Sequence, residues 1–348
     1  MRQRVFGILL SVIPACVLAW AGTPELVRFA PLDSGALIGI NLEQIRASSL
    51  GKTILAKAAS DNADLKKFIA LAGFDPLRDI DEILIAAPGR NDKARGLFLL
   101  RGRFDPTRFA ELALQPGMNA GAWHGVQVIT KQQEQPVALA CLSASLLIGG
   151  DLESVRATIS RREKGSGPGA ELAAKAAGMR EANDIWFVSQ VPPAGLTGGA
   201  RASEAAENPQ VQLLRSIEQA SGGLKFGTNL VLAADLTTHT PQDAQSLTAV
   251  MRLFIGLAAS NQRDSKQAGA ILEKLALKAE GNSVKLAFSL PEAELMKSIE
   301  MAINQAQARM SARRESAPPP PPPSKPTEVK IYSSPRDMGV VVLPAPKQ

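Results

Sequence analysis

The chain has 348 residues, 45% hydrophobic and 21% charged, which is ample apolar material for one large domain or two ordinary ones and excludes intrinsic disorder for most of its length. The net charge is +6 and the pI about 9.4, but two arginines lie in residues 1–21 and residues 318–348 carry four basic against two acidic groups, so the body is left near +2. A nearly neutral body with 4% aromatic residues has neither the electrostatic footprint nor the stacking platform of a nucleic-acid binder.

Arg2 and Arg4 precede an apolar run from Val5 to Trp20, and Ala19-Trp20-Ala21 fits a small-residue cleavage box. Residues 1–21 therefore read as a secretory signal, with the mature chain beginning near Gly22 and residing in the periplasm or outside the cell. An uncleaved anchor is one alternative, disfavoured because the run is short of the ~20 residues of a spanning helix and is broken by Pro14. A lipidated Cys16 is the other, disfavoured because Pro14 stands where the Ile13-Pro14-Ala15 box needs a small or hydroxyl residue. No later segment approaches a membrane span. Loss of the signal leaves Cys141 as the only cysteine, so stability must come from packing; within the apolar run Val137 to Leu142 this thiol reads as a small buried hydrophobe.

The mature chain repeats one unit, a strand that runs through a short turn into a helix. Ala36 to Asn41 reads as an apolar strand and Ile45 to Ala58 as a helix. Asp75-Pro76 and Asp105-Pro106 each pair an N-cap acceptor with a residue whose fixed φ and missing N–H suit the first helical turn. The second of these follows the strand Leu97 to Phe104 and opens a helix over Thr107 to Leu114. Ile80 to Ala87 and Gly96 to Phe104, separated by Pro88-Gly89-Arg90-Asn91, read as a hairpin. Val126 to Thr130, Val137 to Leu142 and Leu146 to Ile148 continue as a meander, and Gly149-Gly150-Asp151 starts a helix reaching Arg162. After a strand from Asp184 to Val191, the strand Ala233 to Thr238 meets Thr240-Pro241-Gln242-Asp243, a capping-box arrangement before a helix ending near Ala259. Leu275 to Glu280 and Val284 to Phe288 flank Gly281-Asn282. Then Ser289-Leu290-Pro291-Glu292 opens a helix whose apolar positions Leu295, Ile299, Ile303, Ala306 and Met310 recur at helical spacing.

Hairpins followed by helices predict an α+β fold with antiparallel sheets and helices packed on one face. Two related layers are expected, a first domain over 22–164 and a second over 170–315, joined by the Gly-rich connection 165–169. The Gly-containing stretch Ala194 to Ser203 is a second candidate boundary, and a single continuous sheet with both stretches as loops is the alternative. Residues 316–348 form a Pro-rich tail. Pro318 to Pro323 predicts a polyproline II spacer of roughly 19 Å. Beyond it, Glu328 to Tyr332 and Gly339 to Leu343 are short strand-like pieces, either unstructured or able to add to a sheet edge of this chain or of a partner.

Reactive groups are sparse. His124 and His239 lie in separate strand contexts without a second ligand at metal spacing, and neither H-E-x-x-H nor C-x-x-C occurs. His124, between Trp123 and Gly125, is the more interesting; His239 reads as a surface turn residue. Gly51-Lys52-Thr53 imitates the end of a phosphate loop but has Arg46 where that loop needs glycine. Asp75, Asp79, Asp81 and Glu82 would suit calcium by ligand type, although Asp75 reads first as a cap and the others as a solvated turn. Ser143 and Ser145 lack a G-x-S-x-G elbow. No catalytic, cofactor or metal residue is assigned.

The mature opening Phe29-Ala30-Pro31-Leu32-Asp33, the strand Ala36 to Asn41 and Ile45-Arg46-Ala47-Ser48-Ser49-Leu50-Gly51-Lys52 together resemble exported bacterial proteins of unknown function, in which a P-x-D start leads to an apolar strand and a helix with an S-x-L-G turn. Gly73-Phe74-Asp75-Pro76-Leu77-Arg78-Asp79-Ile80-Asp81 is similar to a segment of such proteins. The resemblance covers roughly the first hundred mature residues; it implies an envelope location and no activity. The expected function is that of a non-catalytic envelope protein that binds or scaffolds another component through its tail or a sheet edge, with no cofactor. The alternative is a hydrolase or transferase using Asp79, Asp81 and Asp184 with His124.

Overall fold

The computed structural model describes residues 26–61, 66, 69, 74–89, 96–131, 137–164, 167–190, 213–261, 274–298, 300–301, 328–332 and 338–342. The proposed signal, Cys16, the stretch 194–203 and the proline run lie outside the described residues. Two compact units are present, residues 1–296 and residues 297–348.

In the first unit, β1 (Ser34–Asn41) leads to α1 (Leu42–Ala47), α2 (Ser49–Asp61), α3 (Pro76–Asp79), β2 (Ile80–Pro88), β3 (Leu97–Gly102) and α4 (Pro106–Glu111). A meander follows, β4 (Met118–Trp123), β5 (Val126–Lys131), β6 (Val137–Ser143) and β7 (Leu146–Asp151), and then α5 (Leu152–Arg161) and α6 (Ala170–Ala182). The unit closes with β8 (Ile185–Ser189), β9 (Ile217–Phe226), β10 (Asn229–Thr238), α7 (Pro241–Asn261), β11 (Ala276–Glu280) and β12 (Ser283–Pro291). All twelve strands form one antiparallel sheet in the order β11-β12-β10-β9-β8-β1-β2-β3-β7-β6-β5-β4. The fold is α+β, as the alternation of hairpins and helices predicts.

The residues expected to form two layers share this one sheet, and the physical reason is β8. Its sequence is apolar on both sides, with Trp186 and Val188 on one face and Ile185 and Phe187 on the other, so it is unsuited to an edge. It pairs with β1 on one flank and β9 on the other. The described part of the Gly-rich connection is also packed: Pro168 is buried, and a Cβ on Gly167 would lie 2.8 Å from the Val27 carbonyl oxygen.

Helices cover both faces of the β1 half of the sheet. Cross-strand register aligns Trp186, Gly39, Leu84, Leu99, Ile148, Ala140 and Val128 in one row. Val155 and Ile159 of α5, Leu172 and Ala176 of α6, and Val27 and Phe29 of a short 3-10 turn close over it. The opposite row, Ile185, Ile40, Ile83, Leu100, Leu147 and Cys141, lies beneath Leu42 and Ile45 of α1 and Phe109 of α4. With apolar side chains on both faces, covering one alone would leave large hydrophobes in water at roughly 1.5–3 kcal/mol each. On the same face as the second row, Ala244 and Leu247 of α7 pack against Ile217, Ala220, Leu277 and Val284. There the opposite face is polar, carrying Gln219, Ser221, Asp235, Lys278, Ser283 and Lys285, and one helix layer suffices.

Helix starts follow the local caps. Asp75, Asp105 and Asp151 each accept a backbone N–H in the first turn, from Leu77, Thr107 and Ser154 respectively. The Thr240 hydroxyl accepts the Asp243 N–H at 3.1 Å and donates to its carboxylate at 2.7 Å. The expected helix over Ile45 to Ala58 is two helices, because Ser48 is extended (ψ 150°) and its hydroxyl takes the Gly51 N–H at 2.9 Å. A Cβ on Gly51 would lie 2.0 Å from the Ile45 carbonyl oxygen, and Leu50 is fully buried, so Ser48, Leu50 and Gly51 together make the corner. In the second unit, β13 (Glu328–Tyr332) and β14 (Met338–Val342) pair with each other as an antiparallel hairpin.

Candidate functional site

The α1–α2 corner, the start of β8 and the ends of β9 and β12 line an open cavity of about 370 Å³. Asp184 is 1% exposed at its floor. Its carboxylate accepts from the Lys225 ammonium and from the Phe226 N–H, each at 2.7 Å, while its backbone carbonyl accepts the Asn41 N–H. Lys225 also donates to Gln44 at 3.2 Å. Across the cavity, the Ser49 hydroxyl donates to both oxygens of Glu292 at 2.6 and 2.7 Å. Each acid in this cavity already rests on donors from its own chain, so the arrangement ties β8, β9 and β12 to the α1–α2 corner. Sequence reading singles out Asp184 as a candidate group but meets Ser49 and Glu292 only as parts of helix starts and does not name Lys225, because their contacts are with residues distant in the chain.

Glu82 is another buried acid, 5% exposed and on the face covered by α6. It accepts from Arg180 through two guanidinium nitrogens and from Arg101 at 3.2 Å. The hydrogen bond to Glu82 is also the main reason the Arg180 pKa is raised. This triad pins the end of α6 to β2 and β3.

The acidic group expected as a calcium alternative is divided among cations and caps. Asp79 accepts the Asp75 N–H at 2.9 Å and is held by two Arg78 nitrogens at 2.9 Å, with Arg103 at 3.6 Å. Asp81 takes Arg46 at 2.7 Å, and Arg46 also donates to the carbonyls of Leu77 and Ile80. No cluster of three or more potential metal ligands occurs among the described residues. The hydrogen bond from Arg78, backed by the Asp75 N–H and nearby guanidinium charge, lowers the Asp79 pKa from 3.8 to about 2. A depressed carboxylate pKa contributes stability above the unfolded value and loses it as pH falls through the folded value. The urea midpoint is therefore expected to fall between pH 3.8 and about 2 by an amount that Asp79→Asn reduces; equal pH slopes in variant and parent would refute the assignment.

His124 forms the β4–β5 turn with Gly125, at φ 46° and 75°. Its ring meets Trp123 edge-on at 5.3 Å, and the indole donates to Ser160 at 2.9 Å beneath Arg156. His124, the Asp79–Asp81 group and Asp184 thus occupy three different places with separate partners. His239 is exposed, 3.5 Å from Glu218. Cys141 is half-buried; its thiol donates to the Ser143 carbonyl and burial raises its pKa. Ser143 and Ser145 hydrogen-bond each other in the β6–β7 turn. Thr53 donates to the Ser49 carbonyl within α2, with no phosphate-loop geometry around it.

Fold and interior together define an α+β protein whose first unit is one twelve-stranded antiparallel sheet, with Asp79, Glu82 and Asp184 buried against cations. No protein-family model matches the chain, and no curated protein matches it. Among solved structures it is similar to crystal form III of TP0453, at 8% identity and TM-score 0.47, covering 78% of this chain and 96% of that one. Crystal form I of TP0453 gives 11% identity and TM-score 0.44, covering 80% and 98%. Likeness at this level transfers no residue role.

Proposed function

We propose that this chain is an exported, non-catalytic protein of the cell envelope that binds or scaffolds another envelope component. Support comes from where the groups nominated for chemistry reside. Asp79, Asp81 and Asp184 each lie against a cation, and those of Asp81 and Asp184 also bond elsewhere, Arg46 to the Leu77 and Ile80 carbonyls and Lys225 to Gln44. A general base must reach the proton it removes, and these carboxylates are directed at donors within the fold. His124, their nominated partner, belongs to a hairpin turn elsewhere. The export assignment rests on the basic, apolar and small-residue pattern of residues 1–21.

In this reading the tail is the contact surface, with the β13–β14 hairpin following Pro318 to Pro323 in the chain. Capture from the envelope fraction with and without residues 318–348 tests this role. The expected result is a partner lost on truncation, whereas an unchanged partner list removes the tail from the proposal. Turnover of generic esterase, phosphatase or glycosidase substrates that His124→Ala abolishes would overturn the non-catalytic reading.

A further inference from the structure

The sheet ends in two strands, and they are not equivalent. β11 carries Lys278 and Glu280 and is packed by α7, and charges on an edge strand oppose the addition of another strand. β4, with the sequence MNAGAW, has no charge and no proline, and residues 119–123 are all exposed.

The register of β4 determines which backbone groups face outward. Trp123 pairs with Val126 across the two-residue turn, so Trp123, Gly121 and Asn119 direct their N–H and C=O groups to β5. Ala120 and Ala122 direct theirs away from the sheet, where they have no partner among the described residues. At the next outward position the row is already closed, because the Met118 N–H donates to the Gln115 carbonyl at 3.1 Å. What remains is a short, neutral stretch of unpaired backbone at one end of the sheet.

We infer that β4 is a self-pairing edge that joins two copies of this chain through an antiparallel β4–β4 contact centred on Gly121. In this register Ala120 faces Ala122 of the partner subunit, and the two exchange both N–H···O bonds; the two-fold axis repeats the pair, making four bonds. Gly121 faces Gly121 of the partner subunit at the close, non-hydrogen-bonded position, where Cα atoms approach to about 4.5 Å. A second copy is the occupant because the row is complementary to itself. Two-fold pairing brings any charge on the strand opposite its own equivalent or a neighbour, and this strand has none. The inference goes beyond the envelope role and does not depend on the tail.

Gly121 provides a clean test, since a Cβ there meets nothing within 4 Å in its own chain and its φ is not positive. The full chain is expected to sediment at twice its single-chain mass at about 100 μM. Gly121→Lys places two ammonium groups face to face and Gly121→Glu two carboxylates, so each variant alone is expected to sediment at half the parent mass with unchanged circular dichroism. An equimolar mixture of the two is expected to return to the doubled mass. A parent that remains single at that concentration, dimers that persist in both variants, or a mixture that stays single would each overturn the inference.

Discussion

Trp186→Ala is expected to lower the free energy of unfolding by about 4 kcal/mol, read from urea melts followed by far-UV circular dichroism. The indole is 2% exposed in a central strand, in the row that α5 and α6 close over. Its place is prepared by Gly39 directly across the β1–β8 ladder: a Cβ there would lie 2.2 Å from the ring. Gly39→Ala is accordingly expected to destabilise the parent by about 1–3 kcal/mol through overpacking, and to cost far less once the ring has gone. Equal costs of Gly39→Ala in the two backgrounds would sink the idea that glycine is there for the indole.

The second large effect belongs to Glu82. Removing one partner of a buried ion pair typically costs 3–5 kcal/mol because the charge left behind is unpaired. Here two guanidinium groups would be left together, but Arg101 and Arg180 are each about one-third exposed and water recovers part of the loss. Glu82→Ala is therefore expected to cost about 3 kcal/mol, the low end of that range. Glu82→Leu combined with Arg180→Met tests the origin of the cost, since it removes the acid together with one of its two cations and leaves only Arg101, one-third exposed and 3.9 Å from Glu43, without Glu82. A double replacement as damaging as Glu82→Ala would locate the cost in shape rather than charge.

These two positions also show which parts of the molecule can be read along the chain. Asp75, Asp105, Asp151 and Thr240 reveal helix starts because each satisfies a backbone N–H within three residues of itself. The β5–β6–β7 meander and the β11–β12 hairpin are equally legible, with β-branched and apolar runs around short turns. β4 and β9 are not. Their sequences, MNAGAW and IEQASGGLKF, are poor in β-formers, and neighbouring strands supply their conformation. The glycines of β9 have reasons visible only in three dimensions: a Cβ on Gly222 would meet the Phe187 ring at 2.7 Å, and one on Gly223 the Asn183 side chain at 2.3 Å.

The candidate site divides in the same way. Asp79, Asp81 and Asp184 are conspicuous as acids, yet the cations that engage Asp81 and Asp184 are distant in sequence, Arg46 and Lys225. Ser49 meets Glu292 across 243 positions and Glu82 meets Arg180 across 98, separations that no local pattern encodes.

By itself the sequence determined the α+β class, most helix starts and several hairpins, because capping, turn chemistry and alternation act over a few residues. Tertiary structure alone decided that the strands on either side of the Gly-rich connection belong to one sheet, that both faces of the β1 half need helices, and that acids far apart in the chain become clamps. Strand partners and buried counter-ions are chosen by surfaces that exist only after the chain has folded.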